Sequence, residues 1–542
     1  MSRIRPDTLF AVAASAFVWL VALPSVAGDK TNLAIGAICR VEQHGEVRGG
    51  NPHIAIEDGM GAGGFPIATA SRSAQQWFDY GIKLFHAYYH EDAKRAFDNA
   101  VAADPRCAMC LWGQALSRGP VQNFDVSEDD MKAGLDFARK ALAAARTKRE
   151  KLLAQAMVRR DSRAQDAPAE RDFAHDLLQA EKAGPDTPDL RLLAAEALLT
   201  MWRRGDHTIA NDAIAIIEPI LRAGPNNTAA IHYYIHATER AERPALALPY
   251  AEKLSALAPK ASHLVHMASH TFLRLGRYED AATINAFAMR IDTDHLTDTA
   301  TPGLPSTALY YEHNLRNGMA GALMSGDRAL ALKFADHLHR VFAEKDFAGD
   351  GMREAELQRF AIYARYDPAR MLAISEPPAD SPQTQAFYHY ARAEAFAALH
   401  DGAGLAREAA AVTGSDPLIV VAKGVLAGRL AMLQGRFTDA AHAFEAAATQ
   451  QDSLLAPSMD PPPWWYPVRR SAAAAWLRAG QFASAADTAK ASLAGWPRDA
   501  LALSILAQAE YRLGHPVDAR HDDAQAIGSW EGDMARIDIA TI

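Results

Sequence analysis

From Ser73 onward the chain repeats one short arrangement: an apolar helical stripe, a tight turn, a second helical stripe and a proline. Apolar residues recur at helical spacing, and Gly or Pro interrupts them every 15 to 20 residues. In the unit that opens at Ala74, Trp77, Gly81, Ala93, Phe97, Ala100 and Pro105 occupy positions 4, 8, 20, 24, 27 and 32. The unit from Thr228 repeats the frame, with Ala247 at position 20 and Pro259 at position 32, and the next opens at Ser262 and turns at Gly276. Further units open near Glu312, Tyr388, Val421, Tyr466 and Ala500, turning at Gly326, Gly402, Gly435, Gly480 and Gly514. The starts at 228 and 262 are 34 residues apart, as are those at 466 and 500. A helix pair of that length cannot bury its own apolar stripe, so successive pairs must stack. The expectation is an all-α chain, a right-handed α-solenoid over residues 73–542, with central repeats at 228–343 and C-terminal repeats at 388–530. The spacers Asp292–Ser306, Ser375–Pro382 and Ser453–Pro463 are polar or Pro-rich and read as loops.

The small residues at positions 8, 20 and 27 resemble those of the tetratricopeptide repeat, which uses them where its two helices cross. In front of the array lie two other segments. Arg3 and Arg5 precede the apolar run Leu9–Leu23, and Ser25-Val26-Ala27 follows it, the layout of a secretory signal removed after Ala27. Residues 28–72 are Gly-rich and read as an irregular arm. No later run has the length of a spanning helix, so the processed chain is expected in a bacterial periplasm or secreted, with no membrane span. Lys+Arg 56 against Asp+Glu 65 gives a net charge of −9 with the signs interspersed, which excludes a nucleic-acid-binding stripe. Cys107-Ala108-Met109-Cys110 is no haem-attachment motif, because Leu111 stands where the axial His is needed. A local disulfide between Cys107 and Cys110 is the expected state in an oxidising compartment, with paired thiolate ligands the other reading.

The histidines follow the repeat frame. His232 and His236 occupy positions 5 and 9 of one first helix, His263, His266 and His270 positions 2, 5 and 9 of the next, and His313 position 2 of the third. Residues three and four apart project from one side of a helix. In tetratricopeptide arrays these positions of the first helix face the concave surface, so six imidazoles from three successive helices are expected to meet in one groove. Imidazole suits Cu, Fe, Ni or Zn rather than Mg or Ca, and the candidate cofactor is a transition-metal ion, Cu, Fe or Zn. Two other readings stand beside it: a metal-free groove for a small molecule or peptide, and a structural network. His86, His90 and His389 are candidate contributors. For catalysis a metal site also needs an acid or base, for which Glu196 and Glu312 are the candidates; Tyr233, Tyr234, Tyr310 and Tyr311 are candidates for orienting a substrate in the groove.

Three stretches carry a further likeness: Trp77-Phe78 through Trp112-Gly113, His232-Tyr233-Tyr234-Ile235-His236-Ala237 through Tyr278, and Pro462-Pro463-Trp464-Trp465-Tyr466-Pro467. With them the chain resembles a family of bacterial exported tetratricopeptide-repeat proteins. It departs from that pattern at Ala268 and Glu312, where relatives carry Pro, and at Gly119-Pro120-Val121, where they carry Gly-Pro-Asn. The resemblance implies the repeat fold and an exported location, and it assigns no reaction. Two functions follow: a metal carrier or metalloenzyme, or a metal-free scaffold that cradles a peptide or protein partner.

Overall fold

The computed structural model describes residues 54–542 apart from 122–125, 164–166, 202–206, 299–307, 343–349, 379–380, 456–461, 535–536 and 539–541, with backbone alone at some helix ends. Residues 1–27, where a signal is expected, and most of the expected arm lie outside the described residues. Those residues belong to one compact unit, 36–542, and are built from helices with no β-strand among them.

Each unit found in the sequence is a helical hairpin. Arg72–His86 pairs with His90–Ala103, Thr228–Arg240 with Leu248–Leu257, and Ala308–Ser325 with Arg328–Phe342. Pro382–Ala398 and Gly402–Ala411, Pro417–Leu433 and Phe437–Leu454, Val468–Arg478 and Phe482–Gly495, and Ala500–Leu513 and Pro516–Ile527 complete the series. Ser262–His266 and Ala268–Arg274 run as one first helix through Met267, whose φ of −53° and ψ of −28° are helical, and pack on Tyr278–Asp298.

The glycine at position 8 is explained by the phenylalanine at position 24. A Cβ on Gly81 would stand 2.6 Å from the Phe97 ring, one on Gly428 2.5 Å from Phe444, and one on Gly318 2.4 Å from Phe334. In each hairpin the aromatic ring therefore fills the space that the missing side chain leaves, which keeps the two helices close. The third pair places that unit's frame one residue before Glu312.

Three expectations change. Helices Glu128–Ala144, Lys148–Asp161, Ala167–Glu181, Pro188–Thr200, His207–Ala223 and Asp350–Tyr366 lie between the units found from sequence. The buried small residues of these helices are mainly alanines, among them Ala138, Ala141, Ala154 and Ala180, so the glycine punctuation gave no signal there. The spacer from Asp292 is helical as far as Asp298, and its remainder, 299–306, is outside the described residues. The described end of the Gly-rich arm is irregular but strapped down. Ala62 N donates to Thr228 Oγ1 at 2.7 Å, Gly64 N to Asp189 Oδ1 at 3.1 Å, and Lys260 N to the Gly59 carbonyl at 3.1 Å. Gly61 sits at φ +100°, and a Cβ there would lie 2.8 Å from Thr228 Oγ1, so both its conformation and its space require glycine. No helix among the described residues is long and apolar enough to cross a membrane.

Candidate metal centre

Three adjacent first helices, Thr228–Arg240, Ser262–Arg274 and Ala308–Ser325, bring the six histidines together. They form two groups of converging ring nitrogens, His232/His236/His263 and His266/His270/His313, and in each group the candidate ligand atoms lie within 4.8 Å of one another. The helix 262–274 stands in the middle and supplies both groups.

The Nδ1 atoms of three rings are tied to acceptors. His232 Nδ1 donates to the His86 carbonyl at 2.7 Å, His266 Nδ1 to Asn285 Oδ1 at 2.7 Å, and His270 Nδ1 to Glu239 Oε2 at 2.9 Å. Asn285 Nδ2 donates to the Ala281 carbonyl at 2.8 Å, which sets its amide with the oxygen toward His266. A ring that donates through Nδ1 in its neutral form has a lone pair on Nε2. The Nε2 atoms nevertheless face each other: His266–His270 at 3.1 Å, His266–His313 at 3.0 Å and His232–His263 at 3.3 Å. His266 and His270 are both anchored through Nδ1, so their facing Nε2 lone pairs repel in the neutral rings unless a cation lies between them, whereas His263 and His313 can donate through Nε2 to His232 and His266. Nitrogens bound at 2.0–2.1 Å to one tetrahedral ion stand about 3.3 Å apart, close to these separations.

Burial, followed by the neighbouring imidazoles, holds His236, His263 and His313 well below the usual histidine range. Burial lowers His232 to about 3, only partly opposed by its bond to the His86 carbonyl. His236 Nε2 is buried and has no hydrogen-bond partner, an expensive state for a polar atom that offers itself to no ligand. The six side chains are between 0% and 3% exposed, so they line a sealed interior and not the wall of an open groove, as the repeat frame led us to expect.

Residues from outside the pattern close the site. Tyr88, in the turn between the first two helices, meets His232 edge-on at 4.4 Å and stacks on His263 at 5.3 Å and His236 at 6.2 Å. It does so from φ +62°, a conformation that a tyrosine adopts only when its surroundings hold it there. Glu239 completes a third converging group with His236 and His270 and accepts from Arg274 Nε at 2.9 Å. Burial raises its carboxyl, but His270 and Arg274 prevail and leave it at about 2. Asp292, which accepts from Asn314 Nδ2 at 2.9 Å, is pushed up to about 7 by burial. Glu239 was within reach of sequence reading, at i+3 from His236 on the same helix. Asn285, Asp292 and Tyr88 carried no such mark.

The other candidates lie elsewhere. Glu196 accepts from Thr200 Oγ1 at 3.1 Å and acts on the charge of Arg160. Glu312 pairs with Arg316 at 3.4 Å, and Arg316 also contacts Glu354, so its carboxyl is committed to an ion-pair network. Tyr233 hydrogen-bonds His86 Nδ1 at 3.0 Å and Tyr234 donates to Glu218 at 3.1 Å; both are buried and neither lines an open groove. The side chains of Tyr310 and Tyr311 are outside the described residues. His86 also meets Asp189 at 3.1 Å, His90 packs on Phe85, and His389 pairs with Glu408 at 2.8 Å; none of the three joins a converging group among the described residues. Cys107 and Cys110 are joined as a disulfide, with Cα atoms 5.3 Å apart, at the start of helix Ala108–Leu116.

No family model and no curated protein matches the sequence. Among solved structures, similar chains include human IFIT1, as a dimer with PPP-AAAA (12% identity, TM-score 0.32, covering 78% of this chain and 89% of that one). The P58(IPK) TPR domain is another (13% identity, TM-score 0.23, covering 85% of this chain and 94% of that one). Naa15/Naa10 bound to HypK-THB is a third (12% identity, TM-score 0.24, covering 84% of this chain and 71% of that one). The chain itself is a tetratricopeptide-like array of helical hairpins, as its own helices and crossings establish.

Proposed function

We propose that the protein binds a transition metal, Cu, Fe or Zn, through His232, His236, His263, His266, His270 and His313. The observation that carries this is the convergence of Nε2 atoms at 3.0–3.3 Å while the Nδ1 atoms of His232, His266 and His270 are anchored outward. Outward Nδ1–H bonds to a carbonyl, an amide oxygen or a carboxylate are the usual support of metal-bound imidazole, since they orient the ring and raise its basicity. From the layout of residues 1–27 and the resemblance of the repeats, we also propose that the chain is a bacterial exported tetratricopeptide-repeat protein, released to the periplasm or outside the cell after cleavage at Ala27. Buried ligands favour a held ion over an exposed peptide cradle, and the role of carrier or metalloenzyme follows from whether a small molecule reaches the centre.

Elemental analysis of the purified protein tests the proposal. Wild type is expected to carry metal near stoichiometry, and His266→Ala/His270→Ala to carry almost none while keeping its helical circular-dichroism spectrum. Wild type that purifies empty, with a melting temperature unmoved by Cu, Fe, Ni or Zn, removes the proposal and leaves the metal-free scaffold reading. A metal that binds only the folded state must raise that temperature by mass action.

A further inference from the structure

Six imidazoles exceed the coordination of one tetrahedral ion. They also divide. The ligand atoms of His232, His236 and His263 form one compact set and those of His266, His270 and His313 another. Each set takes two residues from one helix turn, His232/His236 or His266/His270, and a third from the neighbouring helix. The sets adjoin: the His263 and His266 rings stack at 5.8 Å and the His236 and His270 rings meet edge-on at 5.1 Å.

Charge narrows the occupant. Imidazole is a neutral ligand in all six positions, and the adjacent carboxylate, Glu239, is already held by His270 Nδ1 and Arg274. An ion placed in either set therefore brings its charge into a buried, nitrogen-lined space whose ligand set holds no anionic donor among the described residues. The penalty for burying an ion grows with the square of its charge, so a monovalent ion meets about one quarter of the barrier of a divalent one. Three neutral nitrogens without a fourth donor suit a closed-shell monovalent ion that accepts low coordination. Building on the metal reading above, we infer that the cluster is a two-ion centre holding copper(I) in His232/His236/His263 and a second copper(I) in His266/His270/His313.

Titration of the full-length protein with copper(I) under anaerobic, reducing conditions, against a competing colorimetric chelator, tests this. Wild type is expected to take two equivalents per chain, and His236→Leu and His313→Leu one each, because each removes a ligand from one set only. Tenfold excess zinc(II) is expected to displace neither copper. Saturation of wild type at one equivalent overturns the two-ion centre, as does loss of both equivalents in either single variant that keeps its helical spectrum. Displacement by zinc overturns the assignment to a monovalent ion. If a variant does not fold, the wild-type stoichiometry still decides. One equivalent leaves the metal reading standing, whereas none, with every other metal also failing to bind, removes both.

Discussion

The central and the last repeats share one frame and treat its concave positions in opposite ways. In the unit from Ser262, positions 2, 5 and 9 are His263, His266 and His270, all at most 1% exposed. In the unit from Ala500 they are Leu501, Ser504 and Gln508, of which only Leu501 is buried and Gln508 is open to solvent. Position in the repeat sets the direction of a side chain, whereas burial depends on what is laid over it. Over the central repeats lies the N-terminal hairpin: the His86 carbonyl binds His232 and Tyr88 covers three rings. Polar groups on the last repeat can use water; those of the central repeats must find partners or a ligand.

The largest expected effect of this difference is on acid stability. In metal-free protein, His232, His236, His263 and His313 titrate in the fold far below their unfolded value of 6.5. The unfolded chain then binds more protons, so stability falls as pH drops below 6.5, down to about 3 for His232. Each such group contributes a slope of up to about 1.4 kcal/mol per pH unit. Hydrogen exchange at pH 5 is expected to show helices Thr228–Arg240 and Ser262–Arg274 opening before Ala500–Leu513. Opening in the reverse order breaks the comparison.

Next in size is the carboxylate anchor. Glu239→Gln removes the charge that orients His270 and faces Arg274, and metal affinity should fall by about 10- to 100-fold in a competition titration. Unchanged affinity means that His270 does not depend on this support. Glutamine keeps the shape of the side chain, so metal-free stability reports separately on the lost ion pair.

A smaller effect separates function from folding. His236→Leu replaces a buried ring whose Nε2 has no hydrogen-bond partner with an apolar group of similar size. Without metal the variant should unfold at the same denaturant concentration as wild type or a higher one, within about 1 kcal/mol. A loss of several kcal/mol assigns His236 to the structural network. Smallest of all, Gln508→Ala on the open face should change stability by no more than about 0.5 kcal/mol.

The six histidines were legible because they obey i, i+3 and i+4 spacing inside a frame that Gly81 and Phe97, or Gly428 and Phe444, mark independently. Their division into two sets was not, since it depends on how helix 262–274 sits between its neighbours. Nor was the sealing of the site: His86 and His232 are 146 residues apart, and no periodicity links them. Tyr88 was hidden for another reason, as its φ of +62° follows from packing and not from any turn residue. The hairpins between residues 128 and 223 escaped because alanine at a helix contact is indistinguishable from alanine chosen for helix propensity.

The central claim is that a cation belongs between the facing Nε2 atoms. Anomalous diffraction at the copper edge, from crystals of copper-loaded protein, locates that ion directly. The account predicts density within about 2.0–2.1 Å of the Nε2 atoms of His266, His270 and His313, the distance of a metal–imidazole bond. Density confined to the group Glu510/His515/Asp518 on the last hairpin, with none between the three central helices, would contradict it.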